Sequence, residues 1–242
     1  MAGTVMGQED KIKNNKSKHS TKVVQEQAGR PDLPGDFIFE FGLTYLSDAP
    51  DNMQMNLWGS KTINIYYQYP IQFGESSFYI FPGIGISTQK YKFNENVTLG
   101  YSTDDLGNRV VDIVHLDSIF TNASYKKSKI GTVYTDFIFE LRWISRNNNP
   151  RQSIKVAVGG RIGYNIDSKT KVKYDQYGET KKTKQKEDFA LSEIRYGVYG
   201  KIGYASFNTY FYYSLSPLFE TNKGPSRTST SALEFGLSLT IF

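Results

Sequence analysis

The sequence contains no cysteine and only two histidines and two tryptophans among its 242 residues. Without cysteine there is no disulfide, no thiolate metal site and no thiol nucleophile, and thiol usage is silent about compartment. Nowhere do eighteen apolar residues run together, which excludes a transmembrane helix. A membrane is not thereby excluded, because a spanning β-strand is about ten residues long and apolar only at alternate positions. The net charge of +5 is modest. Most of it falls in two polar stretches, 11–23 and 169–186, and neither carries a nucleic-acid-reading motif. Phosphate loops, nucleophile elbows and metal-ligand spacings are also missing, so no nucleic acid, cofactor or metal is expected.

What the chain has is glycine (21), tyrosine (18) and phenylalanine (16), arranged in strict alternation. The last segment, "SALEFGLSLTIF", places Leu233, Phe235, Leu237, Leu239 and Ile241 on every second position and Ala232, Glu234, Gly236, Ser238 and Thr240 between them. Period two is the signature of a strand with two unlike faces. Seven earlier segments repeat it: "DFIFEFGLTYLS", "LWGSKTINIYYQYP", "SFYIFPGIGISTQ", "GTVYTDFIFELRW", "SIKVAVGGRIGYNI", "EIRYGVYGKIGY" and "FNTYFYYSLSPLF". Pro82 and Pro217 fall inside two of these and call for local bulges, since each removes a ladder donor.

Connections alternate in length. Medium or long ones (47–56, 93–128, 168–190, 220–230) alternate with short ones around Phe73 to Ser76, at 146–152, and near Ala205 and Ser206. Eight strands with long loops at one end and short turns at the other are the plan of an outer-membrane barrel. The expected fold is therefore all-β, an eight-stranded antiparallel up-and-down transmembrane barrel over 36–242, with both termini periplasmic.

Ahead of it, "MAGTVMGQ" (1–8) has the small residues of a signal-peptide end without its basic and apolar parts. Met1 is expected to be an internal methionine of a longer precursor, a cloning boundary or an ordinary start. Residues 9–35 are polar, lysine-rich and closed by two prolines, so 1–35 is expected to be a flexible periplasmic tail.

A soluble barrel also alternates, with its apolar face inward, so residue types must decide the orientation. On the apolar face of the eight segments, Lys61 is the one charged residue; an Arg or Lys at the bilayer midplane costs about 2–4 kcal/mol. The opposite face carries Glu40, Asp136, Glu140, Glu193 and Glu234 beside Arg142, Lys155, Arg161, Arg195 and Lys201, interleaved with glycine. Glycine weakens a solvent-facing strand, whereas a narrow lumen needs small residues to make room for long ones. These ten are the expected lumen ion-pair network, and with Tyr210 they plug the interior. Tyr45, Trp58, Trp143, Tyr164, Tyr204 and Phe207 fit interfacial girdles.

The final strand must pair with the first, because no edge can stay open in a membrane. Its terminus resembles the recognition signal of outer-membrane proteins, carried by Glu234, Gly236, Leu239, Ile241 and the closing aromatic Phe242; the resemblance implies that barrel-assembly machinery reads it. More broadly, "FIFEFGL", "FPGIGIS" and "YYSLSPLF" resemble the small outer-membrane β-barrel proteins of Bacteroidota, PorT-like barrels among them. The resemblance implies roles ranging from uncharacterised barrels to accessory subunits of secretion or barrel-assembly complexes. In that phylum the "DSI" at Asp117 to Ile119 matches a short O-glycosylation sequon, which makes Ser118 a candidate.

His19 lies in the tail, while His115 has Asp112, Asp117 and Ser118 nearby, and on one strand Asp117 would share its face. A loop histidine without a catalytic role is the simpler reading. The lysines at 169, 171, 173, 181, 182, 184 and 186 contact lipopolysaccharide phosphates or an acidic partner, or are a solvated loop. The expectation is a non-enzymatic structural or accessory subunit in contact with outer-membrane lipid, lipopolysaccharide and other envelope proteins. An independent barrel binding ligands through its loops is the nearest rival, followed by a rim-active hydrolase.

Overall fold

A strand that is greasy on one face and charged on the other needs two different surroundings, and a ring of such strands supplies both. The computed structural model describes residues 35–104, 107–146, 149, 152–227 and 229–241; residues 1–34 of the tail expected over 1–35, and Phe242, lie outside them. The strands are β1 (Asp36–Ser47), β2 (Lys61–Gln68), β3 (Ile71–Gln72), β4 (Phe78–Lys92), β5 (Val97–Thr103), β6 (Arg109–His115), β7 (Ala123–Ile144), β8 (Ile154–Gln176), β9 (Glu179–Gln185), β10 (Ile194–Tyr204), β11 (Phe207–Ser214) and β12 (Ser231–Ile241). Eight of them close an antiparallel ring in the order β1, β2, β4, β7, β8, β10, β11, β12, with β12 returning to β1. At that seam Phe37 faces Ile241 and Ser47 faces Ser231, so the last strand is paired along its whole length.

The faces divide as the alternation requires. Outward-pointing Phe137, Val158, Ile162 and Leu237 are 58–64% exposed, while Glu40, Asp136, Glu140, Arg161 and Glu234 are at most 2% exposed. A water-soluble barrel would bury the first set and hydrate the second. The wall therefore faces hydrocarbon, and the inner space is filled by polar side chains.

The interior glycines make room, but mostly for tyrosine rings and not for the charged side chains alone. On β4, a Cβ at Gly85 would lie 2.8 Å from the Cα of Tyr66, its cross-strand neighbour. At Gly42 it would meet the Tyr210 hydroxyl at 2.6 Å. A bulky ring over a glycine fills the lumen without straining the wall.

Three expectations need correction. The loops expected over 93–128 and 168–190 are largely strand: β5 and β6 form a separate hairpin, β7 begins at Ala123, β8 runs to Gln176, and β9 folds back on β8. Their alternation is concealed in the sequence because polar residues fall on both faces: Ser128, Ser168 and Thr170 are buried on the inner side, while the outer side of β7 and β8 carries lysines. Pro82 needs no bulge. The Pro82 carbonyl accepts from Tyr69 N at 2.9 Å, so its missing N–H points to the same side, where the neighbouring strand is interrupted between β2 and β3. Pro217 lies beyond β11, and its carbonyl accepts from Ser192 Oγ at 2.8 Å.

At the long-loop end the connections build a hydrophobic core of their own. Met53, Met55, Tyr91, Phe93, Val97, Leu99, Val111, Phe189, Leu191 and Phe219 are buried against one another. Residues from four connections and the upper ends of the ring thus form an ordered head. A smaller cluster of Leu116, Val172 and Tyr174, with Phe120 stacked on Tyr174 at 4.3 Å, holds the tip of the β7–β8 ribbon.

Candidate functional site

Two places concentrate chemistry: the lumen and the head. In the lumen Arg195 on β10 donates from Nη2 to both oxygens of Asp136 on β7 at 2.9 Å, and to Ser87, while its guanidinium lies 3.9 Å from the Tyr134 ring centre. Arg161 on β8 reaches Glu234 on β12 at 3.4 Å and Glu40 on β1 at 3.7 Å, stacked 4.1 Å from Tyr212. Arg142 pairs with Glu140 and, at 3.5 Å, with Asp36. Lys201 bridges Glu40 at 2.9 Å and Glu140 at 3.3 Å. Lys155 donates to the Ala205 carbonyl at 2.8 Å. Neutral donors complete the carboxylates: Tyr66 to Asp136 at 3.1 Å, Tyr199 to Glu140 at 2.9 Å, Asn64 to Glu40 at 2.9 Å, and Gln89 to Glu234. Buried charge is tolerable where it is paired and hydrogen-bonded; each buried arginine here has a carboxylate partner, although Arg161 Nε and Arg195 Nε make no hydrogen bond.

Nine of the ten residues expected in the network are there. Glu193 is not: it is exposed and lies one residue ahead of β10. The wall between β8 and β10 ends at Ile194 opposite Tyr164, so a side chain one step earlier has left the lumen. Asp36 takes its place, buried at 8% exposure and paired to Arg142. The interior therefore still holds five acids (Asp36, Glu40, Asp136, Glu140, Glu234) and five bases (Arg142, Lys155, Arg161, Arg195, Lys201). The signal for Asp36 was available, since it shares parity with Glu40 at the start of the same strand. Nothing in the sequence singled out Tyr66, Tyr199 or Gln89, because period two places a residue on a face without naming its partner.

The interior is packed shut. A remaining space of about 10 Å³ among Arg142, Lys155, Lys201 and Asn208 has room for at most about one water.

The rim histidine, His115, is exposed. β6 ends at His115 and residues 116–118 form a turn, so Asp117 does not share a strand face with His115. Ser118 Oγ donates to the His115 carbonyl at 2.6 Å, not to its ring, and Asp112 accepts from the Ile113 amide at 2.7 Å. Ser118 itself is exposed in that turn. Among the described residues no cluster of three or more His, Asp or Glu side chains is placed to hold a metal ion.

Within the head, Tyr101 of β5 ties the hairpin to the segment ahead of β10: it donates to Asp188 and accepts from the Phe189 amide at 3.0 Å. The Tyr101 phenol is pushed up to about 12, by burial first and by the Asp188 carboxylate second. That hydrogen bond is the main reason the Asp188 carboxyl lies below its ordinary value.

Gly236, Leu239 and Ile241, expected in the C-terminal signal, all lie in β12, with Ile241 outward and exposed.

Residues 33–220 match the outer membrane protein beta-barrel domain family. The chain belongs to that family. As a member of it the protein is an integral outer-membrane barrel, in keeping with the exposed apolar wall. Among solved structures it is similar to Ail, the attachment invasion locus protein of Yersinia pestis. That likeness has 12% identity and a TM-score of 0.38, and covers 86% of this chain and all of that one. The same protein in complex with the heparin analogue sucrose octasulfate matches at 10% identity, 86% and 100% coverage and a TM-score of 0.33. A mutant porin of Rh. blastica matches at 8% identity, 86% and 98% coverage and a TM-score of 0.20. No curated protein matches the chain.

Proposed function

We propose that this outer-membrane barrel is non-catalytic and conducts nothing, and that it serves as an accessory subunit of a larger envelope assembly, such as one for protein secretion or barrel insertion. The head is its contact surface. The carrying observation is the ribbon tip, where Tyr177 is 80% and Ile119 49% exposed above the small core of Leu116, Val172 and Tyr174. Large apolar side chains at an exposed tip are typical of contact sites. By the general rule for such barrels the long-loop end faces outward, which puts both termini in the periplasm. Within the family we infer the Bacteroidota, PorT-like branch from "FIFEFGL" and "YYSLSPLF".

The test is gentle solubilisation of native membranes followed by native-gel and mass analysis. Co-migration with partners in fixed ratio, lost in a Tyr177→Ser/Ile119→Ser variant that still forms a folded barrel, supports the reading. A lone monomer counts against it and leaves the independent ligand-binding barrel.

A further inference from the structure

Strand register assembles lysines that the sequence scatters. Beyond the apolar band, on the outward side of the wall, Lys61 of β2 stands opposite Lys90 of β4. One step further, Lys92 of β4 faces Lys129 of β7, Lys129 faces Lys171 of β8, and Lys171 faces Lys184 of β9. A third row runs Lys127, Lys173, Lys182. Like charges directly opposite one another destabilise a sheet, and here they are stacked in consecutive rungs.

Between the rungs lies a groove of about 540 Å³ bordered by Lys90, Lys127, Lys129, Lys169, Lys171 and Lys184. Its floor includes Gly131, where an added Cβ would meet nothing nearer than the Lys169 side chain at 3.8 Å. Among the described residues, the contact of Lys169 with Asp167 at 2.8 Å is the one ion pair with an acid in that set of six. Lys129 donates to the Gly59 carbonyl at 2.8 Å, and its amine is held below its ordinary value by burial first and then by Lys127, Lys92, Lys90 and Lys61. On the opposite side of the barrel, at the same end, the outward positions of β1, β10 and β12 carry Tyr45, Ile194 and Leu233.

We propose that this lysine-lined groove binds the phosphates of the glycolipid that surrounds the barrel in the outer leaflet. The occupant follows from position and charge. Lys61, Lys90 and Lys129 continue the lipid-facing side of the wall two to four residues past Ile63, Ile86 and Val133, which is headgroup depth. Several unneutralised amines in adjacent rungs, spaced about 5 Å across strands and 7 Å along them, match a headgroup with more than one phosphate. The outer-leaflet assignment rests on the orientation proposed above.

The experiment uses the full chain in nanodiscs of phosphatidylcholine doped either with bisphosphorylated lipid A or with its dephosphorylated form. Retained glycolipid is read by native mass spectrometry. Each lysine near an anionic surface contributes about a factor of five, so Lys90→Gln/Lys129→Gln/Lys171→Gln should lower retention of the bisphosphorylated lipid on the order of a hundredfold, while Lys223→Gln in the head should not. The same triple variant should be more heat-stable than wild type in undoped discs, because repulsion is relieved, and should lose the wild-type gain on adding bisphosphorylated lipid. Folding is checked by the gel shift of the unheated barrel.

Equal retention of the dephosphorylated lipid, or a triple variant that binds like wild type, overturns the site. Displacement of the lipid by inorganic phosphate at comparable concentration would reassign the groove to a free anion and overturn the lipid. Orientation is read separately, with an impermeant maleimide on Glu179→Cys in intact cells. Labelling only after the envelope is opened would sink the outward reading without touching the nanodisc result.

Discussion

Arg161 and Glu234 meet across the barrel axis, a side chain from β8 against one from the closing strand β12, at 3.4 Å and both almost fully buried. Strands that are not neighbours in the wall are thus tied through its centre. Glu234 also accepts from Thr62, Asn64 and Gln89. Glu234→Gln should leave Arg161 and part of Arg195 short of an acid and cost about 3–5 kcal/mol, the usual penalty for breaking a buried pair. Urea unfolding in detergent measures it. The double variant Glu234→Gln/Arg161→Met should recover a good part of that loss, because the orphaned charge is gone.

A lumen filled by five acids, five bases and the rings of Tyr66, Tyr134, Tyr199 and Tyr212 leaves no water path. In planar bilayers the protein should show no stable single-channel conductance. Stepwise conductance from purified wild type would contradict the packed interior.

Gly42 and Gly236 face each other on β1 and β12, beneath the Tyr210 ring. Gly42→Ala should cost about 1–3 kcal/mol by overpacking, since the new methyl meets that hydroxyl and the Phe235 carbonyl. Gly131→Ala, whose methyl meets nothing nearer than 3.8 Å, should change barrel stability little. Heat-unfolding midpoints of the two variants give the comparison.

The clip between Tyr101 and Asp188 makes the head sensitive to pH at both extremes. Asp188 lies below its ordinary 3.8 when folded, so its contribution is complete above that value and is lost as pH falls through the folded value. Tyr101 is raised from 10.0 to about 12; its contribution is complete below 10 and is lost as pH climbs toward 12. Tyr101→Phe should abolish the alkaline step and weaken the clip by about 1 kcal/mol. Hydrogen exchange in 97–115 and 186–191 should accelerate while the ring strands stay protected.

Segments such as "FIFEFGL" and "LEFGLSLTI" were readable because hydrocarbon and a closed lumen impose opposite demands at successive positions, and period two records those demands directly. For the same reason nine lumen charges were legible, while Glu193 misled: parity marks a face but not where the wall stops. The head was opaque, since Met53, Leu99, Phe189 and Phe219 come from separate connections with no shared period.

The amino-acid order alone determined the class of fold, the face turned to lipid and the sign balance of the interior, because each is a local consequence of solvent on either side of one strand. Only the tertiary structure decided which acid meets which base, that the long connections fold into a core, and that Lys61, Lys90, Lys129, Lys171 and Lys184 stand on one wall. Those are matters of register between strands far apart in the chain, and register is set by closure of the whole ring and not by any single segment.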